Sequence, residues 1–302
     1  LAPFDYFVVI DWSARAVPSP ARPTANAIWL AEGAATGAVQ LHYFPTRAAT
    51  TDYLAGRLRV LVGEGQRILV GWDFAFGYPE GLASALGLVD TPAWLAVWRE
   101  IAARVEDGPD NQNNRFAVGA ALNRRIGAAA GPFWGTPAAS ASAFLKMKKD
   151  FEYPVQVSGG IALPERRRVE RRSPGMQAPW KLAYAGSVGG QSLLGIRRLL
   201  DLAFTDADLR AVSQVWPFTT AFTRHLPERG GLVLHAEIYP SLLPRPRRDE
   251  IADREQVLTY LAWLRGQQAA QTLAHWLAGP TDLCENERQS VLDHEGWVLG
   301  VA

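Results

Sequence analysis

Cysteine is almost missing from this sequence of 302 residues: Cys284 is the one thiol. That excludes a disulfide framework and any zinc site built on paired cysteines, and it suits a reducing compartment. No apolar run approaches the ~18 residues of a membrane span. The first residues lack the charged and apolar regions of a signal peptide. A cytoplasmic protein with no membrane partner is therefore expected. Charge of one sign is also missing, because 31 Lys and Arg face 30 Asp and Glu for a formal net charge of +1. No global field then draws the chain to a polyanion, and a local patch has to meet any anionic partner. The five histidines, at 42, 225, 235, 275 and 294, show no paired ligand spacing. No G-x-x-x-x-G-K-[ST] loop occurs, and there is no internal repeat.

Hydrophobic residues make up 48% of the chain and charged residues 20%, and Trp occurs 11 times. These are the proportions of a globular protein with a large core. The length admits two domains or one enlarged α/β domain. The most informative stretch is Arg67–Pro79, RILVGWDFAFGYP, where a short apolar run ends in one carboxylate, Asp73, followed by aromatics and a turn. A bounded apolar run of this length reads as a buried strand, and a carboxylate at its end is costly unless something offsets it. The pattern repeats at Phe7–Ile10 running into Asp11, and at Gly231–Ala236 running into Glu237.

Taken in order, residues 5–13, 25–32 and 39–44 read as three strands with short connections, an antiparallel meander. Thr50 or Thr51 starts a helix through Val62, with Leu54, Leu58 and Leu61 on one face. Residues 68–73 make strand four, so the order is β-β-β-α-β. Residues 80–150 read as mainly helical. One helix over 91–107 starts at Asp90 or Thr91 before Pro92, another spans 115–126, and a short one spans 140–148. Residues 151–180 carry the basic run Arg166–Arg172 and read as an exposed segment. Helices are further expected over 192–204, 206–215, 253–278 and 285–299, with a strand at 231–239.

Ligand sites in open α/β sheets form beyond the carboxyl ends of the strands. If strands one and four are parallel neighbours, Asp11 and Asp73 meet there. Two such close charges need a cation, or one carboxyl must hold its proton. Carboxylate oxygens suit Mg²⁺ or Mn²⁺. Asp293, Gly296 and Gly300 fall on one face of the expected last helix, which would bring Asp293 to the same rim. Glu237 has two readings: a member of the acid group, or a salt-bridge partner for Arg245–Arg248.

These features resemble the ribonuclease H-like superfamily, and within it a group of bacterial proteins described as ribonuclease H-like nucleases. The residues that carry the likeness are VIDWS at 9–13, GWDFAFG at 71–77, GSVGGQ at 186–191, HAEIYP at 235–240 and DHEGW at 293–297. The resemblance implies one ribonuclease H-like α/β domain over 1–302, a mixed sheet flanked by helices, with a helical and loop insertion at about 80–180. It implies metal-binding acids at Asp11, Asp73 and Asp293, with Glu237 as a further catalytic acid. The helix before strand four offers only Asp52 near its start. The activity implied is hydrolysis of phosphodiester bonds in nucleic acid or a nucleotide with two Mg²⁺ or Mn²⁺ ions. Ser13, Ser187, Gly189, Gln191 and Arg247 are the expected substrate contacts. Trp12, Trp72 and Tyr239 lie beside the acids, as base-stacking or packing residues.

Other readings stay open. A non-catalytic scaffold of the same fold would bind a nucleotide or a partner. A serine hydrolase would use Ser187 in AGSVG, a near-match to the G-x-S-x-G elbow, with His275 or His294 as base. His235-Ala236-Glu237 is similar to the H-x-E of zinc deaminases, but one cysteine cannot supply their P-C-x-x-C ligands.

Overall fold

The computed structural model describes residues 2–89, 92–128, 130–244 and 251–302. The chain starts with strands β1 (Tyr6–Asp11), β2 (Ile28–Ala34) and β3 (Gln40–Phe44), then helix α1 (Arg47–Gly63) and strand β4 (Arg67–Trp72). The β-β-β-α-β order matches the sequence expectation. The middle of the chain holds α2 (Leu82–Ala85), α3 (Ala93–Arg104), α4 (Arg115–Arg125), a small hairpin of β5 (Val155–Val157) and β6 (Ile161–Leu163), α5 (Arg168–Arg172) and α6 (Val188–Leu200). Strands β7 (Ser213–Trp216) and β8 (Leu232–Glu237) follow, then α7 (Ala252–Ala269), α8 (Leu273–Leu277) and α9 (Glu285–Ser290).

The protein is α/β, with a mixed six-stranded sheet in the order β3-β2-β1-β4-β8-β7. β1, β2 and β3 pair antiparallel, whereas β4 runs parallel to β1, and β8 and β7 continue in parallel. The central strands are buried throughout, as strands covered on both faces are. Their side chains alternate between two cores. Tyr6, Val8 and Ile10 share one with Ile68, Val70 and Trp72, under Leu54, Leu58 and Leu61 of α1. Phe7 and Val9 share the other with Leu69, Leu234 and Ala236, under Val257, Tyr260, Leu261 and Leu264 of α7. The helical periodicity of these leucines was the signal that α1 and α7 lie on the sheet.

Several expected elements differ. Thr46, not Thr50 or Thr51, caps α1, its hydroxyl accepting from the Ala49 N–H. Thr50 and Thr51 instead donate their hydroxyls back to the Thr46 and Arg47 carbonyls. The expected helix start at Asp90 or Thr91 lies outside the described residues. Residues 141–148 are not helical, because Leu145 is buried while Phe144 and Met147 are exposed, so the segment has no apolar face to bury. The helix expected over 206–215 does not reach its end, because Ser213–Trp216 form β7. Val215 and Trp216 are β-branched and aromatic, and they cover the free edge of β8. The long helix over 253–278 breaks at Gln271, whose φ is +59°, and resumes as α8. The last expected helix stops early: α9 gives way to one wide turn over Val291–Glu295, and Gly296 then takes φ +69°. Val298 forms a bridge to Glu237, and the Leu299 N–H donates to the Glu237 carbonyl at 2.9 Å.

That last turn sits so close to the loop after β4 that only glycine fits there. A Cβ on Gly77 would lie 2.3 Å from the Glu295 carbonyl oxygen and 2.4 Å from its carbon. Backbone cannot yield as a flexible side-chain end does. Gly77→Ala is therefore expected to destabilise the protein by about 1–3 kcal/mol, read as a lower urea midpoint with an unchanged slope. A midpoint equal to wild type would show that the two segments part easily.

Candidate functional site

Ile10 of β1 lies opposite Trp72 of β4 in the parallel ladder, and the Asp73 N–H donates to the Ile10 carbonyl at 3.0 Å. Asp11 and Asp73 therefore leave the sheet at one rim, beyond the carboxyl ends of two adjacent strands. Both line a cleft of about 390 Å³. Asp11 is 8% exposed, and Asp73 is half-buried. The two carboxyl groups stand close enough to perturb each other's ionisation. Burial first, then the charges of Asp73 and Asp253, push Asp11 well above the usual aspartate range. Burial first, then Glu237 and Asp253, raise Asp73 as well. Without a cation, the pair holds at least one proton that ordinary aspartates would have lost.

The third acid at this cleft is Asp253, in the first turn of α7. One of its oxygens accepts the Asn26 N–H at 2.6 Å, which ties the start of α7 to the turn before β2. Nothing in the local sequence separates Asp253 from an acid that merely suits a helix N-terminus. Its docking over β1 and β2 makes the difference. Asn26, Arg15, Arg115 and Tyr184 also face the cleft and were missed for the same reason.

Of the expected substrate contacts, Ser13, Ser187 and Gln191 line the cleft. The Ser13 hydroxyl donates to the Asn26 carbonyl at 2.9 Å. Gln191 donates its amide to the Trp12 carbonyl, joining α6 to the end of β1. Gly189 does not line the cleft. It packs against the 179–181 backbone, where a Cβ would come within 2.6 Å of the Pro179 carbonyl oxygen. Arg247, with the Arg245–Arg248 group, lies outside the described residues. Trp12 and Trp72 are 1% and 0% exposed and meet edge to face, so they pack rather than stack on a ligand. Tyr239 does face the cleft.

Two expected acids stand elsewhere. Asp293 accepts from the Gln289 side chain at 2.8 Å and is not among the cleft residues. The left-handed Gly296 ends the helical run on which its reach depended. Glu237 is at the right rim, opposite Trp72, but its carboxylate is fully engaged. Arg167 donates to its two oxygens at 2.8 and 2.6 Å, and the Phe76 N–H donates at 2.8 Å. Arg167 also donates to Glu170 at 2.6 Å and to the Glu295 carbonyl at 2.8 Å. Arg167 is 1% exposed, so the basic run is not the solvated segment expected. Burial opposes its charge, but Glu170 and Glu237 outweigh burial and raise its pKa.

The rival chemistries find little here. Ser187 shares the cleft with the acids, but no histidine does. His275 and His294 line other cavities. His235 is buried and held neutral, its pKa lowered to about 3 by burial, and its Nδ1 accepts from the Trp72 indole at 3.2 Å. Among the described residues, no three His, Cys, Asp or Glu side chains form a ready-made metal cage. Among them, too, no helix is long and apolar enough to cross a membrane. No family model matches the chain, and no curated protein or solved structure matches it.

Two measurements test this geometry. Removing Arg167 leaves two buried carboxylates without their cation, so Arg167→Met should cost about 3–5 kcal/mol, measured by urea denaturation at pH 7. A loss below 1 kcal/mol would mean that Glu170 and Glu237 reach water. The acid pair predicts a pH effect. Its folded pKa values lie above the unfolded ones. Its stabilising contribution is therefore complete below the unfolded aspartate value of about 3.9 and is lost as pH rises through the folded values. In EDTA, Asp73→Asn should thus exceed wild-type stability at pH 8 by at least about 1.4 kcal/mol, one pKa unit's worth. The gain should shrink towards pH 4; a pH-independent difference would contradict the shared proton.

Proposed function

We propose that the protein is a divalent-metal-dependent hydrolase of phosphodiester bonds with a ribonuclease H-like core. The observation that carries the reading is the placement of Asp11 and Asp73 side by side, at the carboxyl ends of adjacent parallel strands and open to a polar cleft. The strand order and directions support the core: three antiparallel strands, a helix, then strands parallel to the first. A late helix contributing Asp253 supports the reading that this acid takes the place expected of Asp293.

The donor set fits a hard divalent cation. Asp11 and Asp73 offer carboxylate oxygens alone, and burial with the nearby acids raises both pKa values, favouring a proton that a cation would replace. Asp253 stands near enough to raise both of them. Mg²⁺ or Mn²⁺ bound here would supply Lewis acidity and an activated water. The protein's own part is positioning. Asp11 is set by the β1–β4 ladder, Asp253 is held against the Asn26 backbone, and Gln191 fixes α6 to the strand end. Arg167 and Glu237 hold the adjacent rim rigid without touching the reacting groups.

The test is a cleavage panel of single- and double-stranded DNA and RNA and a bis-aryl phosphate, with Mg²⁺ or Mn²⁺, for wild type and Asp73→Asn. Wild type should cleave at least one substrate, and EDTA should stop it. Asp73→Asn should fall at least about a hundredfold, equivalent to about 2.7 kcal/mol of barrier. Calorimetry should show Mn²⁺ binding that the substitution weakens. Mn²⁺ binding with no cleavage of any substrate would leave a binding scaffold; equal cleavage by both proteins would remove the acid pair from the chemistry.

A further inference from the structure

The cleft that holds the acids also carries positive charge that no carboxylate among the described residues receives. Arg15 follows β1 and Arg115 opens α4, and both line the cleft. Among the described residues none accepts a hydrogen bond from the Arg15 guanidinium, and its buried Nε has no partner there. Its backbone is engaged: the N–H donates to the Ser13 hydroxyl, and the carbonyl accepts from Arg47. Arg115 is 9% exposed. Its Nε donates to the Leu182 carbonyl at 3.2 Å and its Nη1 to Asn113 at 2.8 Å. The guanidinium lies over the Phe116 ring at 4.2 Å. These contacts fix the fork, and Nη2 makes no hydrogen bond among the described residues. Neither arginine has a carboxylate partner among the described residues. Burial and the nearby Arg47 lower the pKa of Arg115 to about 10, the condition an anion would relieve.

Two further groups point the same way. Ser187 precedes α6, a helix of 13 residues, yet its side chain makes no capping bond. Its hydroxyl faces the cleft beside the helix N-terminus, where anions are favoured. Tyr184 is 61% exposed, stands at the cleft, and holds φ +70°. That conformation is uncommon for a residue with a side chain. Exposed aromatic surface held in this way at a cleft offers a stacking face.

We infer that the cleft binds one nucleotide unit, its phosphate between Arg15 and Arg115 with the Ser187 hydroxyl, and its base on Tyr184. Arginine forks match phosphate oxygens, and a cleft of about 390 Å³ is within the range of single small-molecule sites. The inference deepens the hydrolase reading, since the phosphate would lie across the cleft from Asp11 and Asp73, but it does not need cleavage to occur.

Calorimetry in EDTA on the full chain, with inorganic phosphate, ribose 5-phosphate and AMP, tests it. Wild type should bind all three, AMP most tightly. Arg15→Met, which removes no hydrogen bond of the fold, should weaken all three at least tenfold. Tyr184→Ala should weaken AMP at least fivefold and leave ribose 5-phosphate unchanged. Asp73→Asn should bind AMP at least as tightly as wild type, because it removes negative charge. No binding by wild type, or equal binding by Arg15→Met, overturns the site. AMP binding unaffected by Tyr184→Ala overturns the nucleotide assignment. Phosphate binding without metal-dependent cleavage would sustain this inference and sink the hydrolase; cleavage indifferent to Arg15→Met would do the reverse.

Discussion

Two like charges are forced together by backbone pairing. Once β4 pairs parallel to β1 with Ile10 opposite Trp72, Asp11 and Asp73 have nowhere to go but the same rim. The ladder and the two apolar cores bury strands that stabilise the fold far more than one acid contact costs. The sheet wins, and the acids stay together at raised pKa values, with burial the largest cause and neighbouring acids adding to it. Strain of this kind persists where surrounding structure over-determines it.

The neighbouring rim solves the same problem differently. Glu237 stands one strand away, opposite Trp72, and receives a buried arginine, a backbone N–H and the close packing of the 295–299 segment. Arg167 is satisfied by two carboxylates and a carbonyl. The end of β8 thus holds charge that is fully compensated and rigid, while the ends of β1 and β4 hold acids with raised pKa values. Only the second has capacity left for a ligand. The same contrast separates Arg167 from Arg15 and Arg115, whose forks still have donors to give.

Much of the fold was legible because its signals are local. Apolar runs ending in a single acid marked β1 and β4, and the leucine spacing marked the buried faces of α1 and α7. Failures came where a long-range contact outweighed local preference. Residues 213–216 became an edge strand because β8 needed covering. The last helix ended at a glycine so that Val298 could bridge to Glu237. The basic run was read as solvated because Glu237, which buries Arg167 together with the nearby Glu170, is 70 positions away in the chain.

The sequence by itself determined the architecture around the acids: which apolar segments must be buried, the β-β-β-α-β order, and that Asp11 and Asp73 end strands. Composition and periodicity suffice for this, because burial of alternating apolar side chains is a property of each segment. Only the tertiary structure decided which charges face one another. It put Asp253 in the cleft and Asp293 outside it, closed Arg167 over Glu237, and left Arg15 and Arg115 open. Those outcomes depend on where each helix docks on the sheet. Charge partners are chosen by distance in space, which no local pattern of residues records.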